Sequence, residues 1–272
     1  MVVQHNLQAA NTNRMLGQNV KAVSKSTEKL SSGYQVNRAA DDAAGLSISE
    51  KMRNQIRGIN QAVKNSEDGV SLIQTAEGNM NEIHSILQRM GELATKAAND
   101  VNATEDRKAI ADEMTELRNE IDSISSKAAF NGTKLLTGDF KSKFLQVGAN
   151  AKENMEIAIK TMNTTALKLS KGDVSVSSHA LASHAMSQIS SAIKTVSAAR
   201  SELGAKQNRL NYTINNLENY SENLTSAESQ IRDTDMATEM TNYTKNNILQ
   251  QAAQSMLAQA NQSTQGVLSL LQ

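Results

Sequence analysis

The sequence predicts a mostly α-helical chain: an elongated coiled-coil rod of long helices, a small β-hairpin region, and terminal helices that pair as an inner coiled coil. Three observations lead there. Apolar residues recur every seven positions over long stretches, the signature of coiled-coil packing. Proline is absent from all 272 residues, where average usage of about 5% would supply roughly a dozen, so long helices meet no kink. Both chain ends lack charged side chains yet keep an apolar helical stripe.

The N-terminal stripe is Val3, Leu7 and Ala10, within the uncharged stretch Met1–Asn13. Ser31-Ser32-Gly33 ends the first helix, with Gly33 suited to the position after the cap. Asp41 or Asp42 caps the next helix, with Ser47 and Glu50 at capping-box spacing. That helix carries Met52, Ile59, Ser66, Ile73, Met80, Leu87 and Ala94 at every seventh residue. Its second seam reads Ile56, Val63 and Val70 early, and Ile83, Met90 and Ala97 later. Asn99–Thr104 is a polar turn, followed by Glu105 and Asp106 in a first helical turn, where the macrodipole favours acids. Ile110, Met114, Leu117, Ile121, Ile124 and Ala128 mark a third helix. Asn131-Gly132 and Thr137-Gly138 are turns. Phe144–Val147 and Met155–Ile159 read as two short strands, the second alternating apolar and polar. Thr161–Ser183 reads as a surface connection. Ile189, Val196, Leu203, Leu210, Leu217, Leu224 and Ile231 then give seven consecutive heptad positions. The C-terminal stripe is Leu249, Ala253, Met256, Ala260, Val267 and Leu271, with Leu257 beside it, in the uncharged stretch Asn246–Gln272. The domain division expected is 1–40 plus 234–272 for the terminal coiled coil, 41–162 plus 180–233 for the helical rod with a hairpin at about 143–160, and 163–179 for a short connector.

Composition narrows function. Lys and Arg number 28 and Asp and Glu 28, so there is no bulk electrostatic attraction to nucleic acid or an anionic membrane. Without cysteine there is no disulfide, thiol nucleophile or zinc–thiolate site. No run approaches the roughly 18 apolar residues of a membrane span, and the N-terminus has no secretory signal pattern. No HExxH, Gly-rich phosphate loop or GxSxG occurs. His179 and His184 are five apart, about 140° around a helix, which spoils a shared metal site. The expectation is therefore no catalytic residue, no metal and no cofactor. Chain ends are normally polar and frayed. Apolar, uncharged ends instead call for a partner, either each other or neighbouring copies.

The stretch LSSGYQVNRAADDAAGLSISEKMR from Leu30, continuing to LQRMGELATKAAN, resembles the N-terminal signature of bacterial flagellin. LGAKQNRLNYTINNLENYSENLTSAESQIRDTDMATEM from Leu203 resembles the C-terminal one, and FNGTKLL and FLQVGAN between them follow the same pattern. Nearly the whole chain is covered, in the right order. The chain resembles a short form without the variable outer domains. It departs from many relatives at Gly91, where they carry arginine.

The resemblance implies a non-enzymatic subunit that polymerises into the flagellar filament for motility. It would be secreted by the flagellar type III route without a cleaved signal peptide, its ends disordered until polymerisation. Val3, Leu7, Ala10, Leu249, Ala253, Met256, Leu257, Ala260, Val267 and Leu271 would form the assembly interface. The implied partners are further copies of the chain, an export chaperone on the C-terminal segment, and filament cap and hook-junction proteins. Toll-like receptor 5 would read Gln88, Arg89, Glu92, Leu93 and Glu113. Two rivals fit less well. A hook–filament junction protein shares similar terminal segments but not the long match from Leu30. A coiled-coil signalling scaffold explains the heptads and missing proline but neither the strand pair nor the uncharged ends.

Overall fold

A computed structural model describes residues 6–170, 172 and 174–269, with side chains for all of these except 264–269. Helix α1 spans Leu7–Ser32, α2 Ala43–Ala97 and α3 Thr104–Lys127. Four short strands follow, β1 Ala129–Phe130, β2 Thr133–Lys134, β3 Lys143–Gln146 and β4 Asn154–Ile157, and then helices α4 His179–Arg232 and α5 Met236–Ser269. Contacts divide the chain into one unit of residues 1–54 with 222–272 and a second of 55–221. The boundaries read from sequence, 40/41 and 233/234, fall inside the first unit. The start of α2 and the end of α4 belong there because Ser49 Oγ donates to Glu228 Oε1 at 3.5 Å and Gly45 lies against Ile231.

Helix ends follow local chemistry. Asn6 caps α1, its side-chain oxygen accepting from the Ala9 N–H at 2.9 Å. Gly33 closes α1 at φ 75°, a left-handed conformation that glycine adopts without a Cβ penalty, and donates to the Lys29 carbonyl. Asp42 caps α2 by accepting from Ala44 and Gly45 N–H, each at 3.0 Å. Ser47 and Glu50 form no capping box, because Ser47 already lies inside α2. Asp106 reaches back from the first turn of α3 to accept from the Ala103 N–H at 3.2 Å.

The second unit has a closed core. Ile59, Ser66, Ile73, Met80, Leu87 and Ala94 of α2 are buried, as the heptad predicts, and so are Ile189, Val196, Leu203 and Leu210 of α4. The second α2 seam is Ala62, Gly69, Ala76, Ile83, Met90 and Ala97, again every seventh residue. Val63 and Val70, expected there, are only half-buried. Small residues hold these positions because the β3–β4 hairpin packs close. A Cβ on Gly69 would stand 2.5 Å from Leu145 Cδ2 and 3.3 Å from Leu210 Cδ1.

The hairpin pairs Phe144 with Glu156 and Leu145 with Met155. Met155, Ile157 and Ile159 point into the core while Glu156 stays exposed, the alternation expected of a half-buried strand. A tighter hairpin joins β1 and β2 through Asn131 and Gly132, both at positive φ, as a two-residue primed turn requires.

The segment expected to be a surface connection is part of this core. Met162, Leu167, Leu169, Val174 and Val176 are buried, and Thr164 donates to Asp122 of α3 through both its N–H and its hydroxyl. Helix α4 has also begun by His179. Apolar spacing within a non-helical, Ser- and Lys-rich segment gave no periodic signal of burial, which here comes from docking on α3.

Four helical glycines, Gly17, Gly78, Gly91 and Gly204, lack any such packing reason. A Cβ at Gly204 would meet no atom within 4 Å, and one at Gly91 would sit at ordinary contact, 3.8 Å from Ile189 Cγ2. Gly91→Ala and Gly204→Ala should each stabilise the protein by up to about 1 kcal/mol, the helix-interior difference between the two residues. Gly58→Ala, whose Cβ would come within 3.0 Å of the Ala149 Cβ, should destabilise it. Denaturant unfolding followed by circular dichroism reads the three signs.

Candidate assembly and recognition surfaces

Helices α1 and α5 pair antiparallel within the first unit. Asn6 Nδ2 donates to the Ala260 carbonyl at 3.1 Å, and Lys29 Nζ meets Glu239 at 3.8 Å near the opposite end of the pair. The face of α1 turned inward is Ala9, Thr12, Leu16, Asn19, Val23 and Ser26, at alternating steps of three and four. On α5 it is Glu239, Tyr243, Asn246, Gln250, Ala253, Leu257 and Ala260. Polar and small side chains interrupt this interior repeatedly. Of the described side chains in α1 and α5, only Ser26 and Ala260 are fully buried.

The stripes read from sequence divide on this geometry. Ala253, Leu257 and Ala260 lie on the inner face, whereas Leu249 and Met256 sit on its outer flank, Met256 55% exposed. Leu7 and Ala10 face away from α5, and Leu7 is 75% exposed. Val3 and Leu271 lie outside the described residues, as does the side chain of Val267. A single partner helix covers a seam of about two residues in seven, so a wider apolar stripe leaves some members uncovered. Met15, Val20, Met236, Met240 and Ile248 extend the outward apolar set. Sequence inspection passed over them, and it passed over the inward Leu16 and Val23, although Ala9, Leu16, Val23 and Leu30 fall at heptad spacing.

A polar clasp closes the first unit where α1 meets α2 and α4 meets α5. Gln35 N–H donates to the Arg232 carbonyl at 2.7 Å, and Thr234 N–H to the Gly33 carbonyl at 2.9 Å. The Arg232 guanidinium stacks 4.4 Å from the centre of the Tyr34 ring, a cation–π contact. Lys25 Nζ lies 2.9 Å from Asp41. That ammonium and the Arg38 N–H hold the Asp41 carboxyl below its ordinary value of 3.8, and Asp41 in turn raises Lys25 above 10.5.

In the second unit, Arg89 of α2 crosses to α3. Its Nη2 donates to Glu113 Oε1 at 2.9 Å and its Nη1 to Glu92 at 3.2 Å, with all three side chains substantially exposed. Hydrogen bonding to Glu113 and then Glu92 raises the guanidinium pKa further. Gln88 is also exposed, but Leu93 is only 3% exposed. Leu93 is therefore not a surface anchor beside Arg89. Four residues turn a helix through a full turn plus about 40°, enough to carry Leu93 into the floor of a groove of about 500 Å3 with Ala109 and Ile110. Gly91 lies on another side of α2, towards Ile189.

Residues 3–141 match the profile of the bacterial flagellin N-terminal helical region, and residues 186–271 that of the C-terminal helical region. A flagellin of Halalkalibacterium halodurans is 51% identical over 271 residues, with the whole of both chains covered. The chain belongs to the bacterial flagellin family. A Bacillus subtilis flagellin is 48% identical over 305 residues, again with both chains fully covered. The crystal structure of Bacillus cereus flagellin superposes with a TM-score of 0.50 at 29% identity, covering 57% of this chain and 88% of that one.

As a flagellin, the chain is a structural subunit of the extracellular flagellar filament and not an enzyme. Among the described residues no helix is long and apolar enough to cross a membrane. The clasp makes the flagellin sensitive to acid in a defined direction. A carboxylate whose pKa is depressed by folding contributes stability above its unfolded value, lost as pH falls through the depressed one. A raised lysine contributes below 10.5 and loses that contribution as pH climbs through its raised value. Asp41→Asn should lower the thermal midpoint at neutral pH and flatten its fall below pH 3.8, checked by melting parent and variant across a pH series.

Proposed function

We propose that neighbouring subunits in the filament cover the outward apolar residues of α1 and α5, while the inward faces only hold the two helices in register. The observation that carries this is the contrast between the two faces. The inner seam is thin and interrupted by Asn, Thr, Ser, Glu and Gln, whereas Leu7, Met15, Ile248, Leu249 and Met256 stand in solvent. Burying one such side chain stabilises by about 1.5–3 kcal/mol, and ordering one residue costs roughly 1–2 kcal/mol of backbone entropy. For the isolated pair these nearly cancel, so contacts between copies tip the balance. Segments 1–40 and 234–272 would form the inner layer of the filament, and the helical rod of 41–162 with 180–233 the next layer out. Val3, Ala10, Val267 and Leu271 complete the proposed assembly set, which Ala253, Leu257 and Ala260 serve from the inner face by holding α1 and α5 in register.

The same segment would need cover before assembly. Asn246–Gln272 is amphipathic and uncharged, the form of helix that docks in an apolar groove. An export chaperone supplies such a groove, and export by the flagellar type III route would follow. Filament cap and hook-junction proteins would meet the same apolar faces at the ends of the filament.

Seeded polymerisation separates the two faces. Met256→Asp should leave monomer unfolding within about 0.5 kcal/mol of the parent, as for an exposed site, yet abolish elongation, because a neighbour would bury its carboxylate unpaired. Leu257→Asp should harm both pairing and elongation. Normal filaments from Met256→Asp would refute the outward-face reading.

A second reading rests on the exposed Arg89–Glu113–Glu92 cluster: recognition by Toll-like receptor 5. Gln88, Arg89, Glu92 and Glu113 would make the polar contacts, with Leu93 confined to the groove floor. Arg89→Ala should weaken receptor binding by about tenfold or more, the worth of a charge-assisted hydrogen bond of 1.5–3 kcal/mol, as measured by surface plasmon resonance. Parent-like binding would remove this surface from consideration.

A further inference from the structure

Methionine is divided unevenly between the two units. Met80, Met90, Met114, Met155 and Met162 of the second unit are buried in its core. In the first unit, Met15, Met236, Met240 and Met256 are all between 46% and 55% exposed. The chain has no cysteine and no tryptophan, so exposed thioethers are the most oxidisable groups that solvent reaches among the described residues, these four more than Met186 of the second unit, which is 37% exposed. All four belong to α1 or α5 and lie outside the inner seam.

We infer that Met15, Met236, Met240 and Met256 form a peroxide-sensitive modification site that governs whether a free subunit can add to the filament. The inference rests on the reading of the outward face as an intersubunit surface. In the reaction the thioether sulfur attacks a peroxide oxygen, the O–O bond breaks, an S=O bond forms and water leaves. Sulfur is oxidised by two electrons and the peroxide is reduced. The product is a polar, chiral sulfoxide in place of a flexible apolar side chain. A neighbouring subunit would then have to desolvate an S=O dipole without a designed donor, which opposes docking. The chain has no thiol of its own to reverse the change. Reversal needs an external dithiol acting through methionine sulfoxide reductases, which returns the thioether, a disulfide and water. Subunits already in a filament would have these sulfurs covered, so oxidation would act on free subunits and spare assembled ones.

The test uses the full-length monomer, hydrogen peroxide as oxidant, and a dose that leaves its circular dichroism unchanged. Peptide mass spectrometry should find oxygen on Met15, Met236, Met240 and Met256 well ahead of Met80, Met90, Met114, Met155 and Met162. Seeded elongation should slow by about tenfold or more, since losing the burial of even one methionine carries that weight. Treatment with methionine sulfoxide reductases and a dithiol should restore the rate. A variant with leucine at all four positions, a volume-conserving exchange, should elongate at the same rate before and after peroxide. Met186→Leu, an exposed methionine of the second unit, should protect nothing.

Elongation at the untreated rate with the four sulfoxides in place would overturn the inference. So would equal inhibition of the four-leucine variant. Should that variant fail to polymerise untreated, single Met→Gln changes decide, because glutamine brings comparable polarity without oxidation. Parent-like elongation by all four of those variants would overturn the inference. Failure of the underlying assembly reading has a separate signature, normal filaments from Met256→Asp with no oxidant present.

Discussion

Two helices packed side by side hide only a narrow seam of each other, and this flagellin deals with that constraint differently in its two units. In the second unit a third layer closes over the α2 and α4 seams. Helix α3, two hairpins and the buried side chains of Met162, Leu167, Leu169, Val174 and Val176 lie on them, and the large side chains Ile73, Met80, Leu87, Met162 and Leu169 lose their solvent almost completely. In the first unit the pairing of α1 with α5 has no such layer. The seam mixes Leu16, Val23 and Leu257 with small and polar residues, and further large apolar groups, Leu7, Met15, Ile248 and Met256 among them, point outwards. A stable body and a surface that needs other copies thus follow from one geometric limit.

Small residues make the third layer possible. The hairpin reaches α2 because Gly69 and Gly58 leave room for Leu145 and Ala149, and alanines fill the corresponding α4 seam at Ala185, Ala192 and Ala199. Met155 and Ile157 can then enter the core from β4. The helix-propensity cost of glycine, about 1 kcal/mol per residue, is offset at Gly58 and Gly69 by closer packing. Gly91 and Gly204 have no comparable neighbour.

Polar contacts do a different job. The clasp joins residues that are about 200 positions apart in sequence, through Gln35 with Arg232, Thr234 with Gly33, and Arg232 over Tyr34. Backbone hydrogen bonds and a cation–π contact of this kind add only about 0.5–1.5 kcal/mol each. They do fix where each chain reversal occurs, and so set the register in which α5 meets α1. The Arg89–Glu113 pair ties α3 to α2 in the same way at the surface of the second unit.

The sequence by itself determined the helices, their heptad faces, the stop at Gly33, the β3–β4 alternation and the uncharged ends. All of these are local: dihedral preference and periodicity act within a few residues of chain. It also carried the family signature over nearly its whole length. Only the tertiary structure decided the second α2 seam at Ala62 and Gly69, the burial of Leu93 and of Met162, Leu167, Leu169, Val174 and Val176, and the outward turn of Leu7, Leu249 and Met256. Nor did any local pattern mark the clasp, whose partners meet only when both chain reversals come together. Periodicity says which residues share a face of a helix. The rotation of that face relative to its partners, and how many partners arrive, is set by packing between elements far apart in the chain.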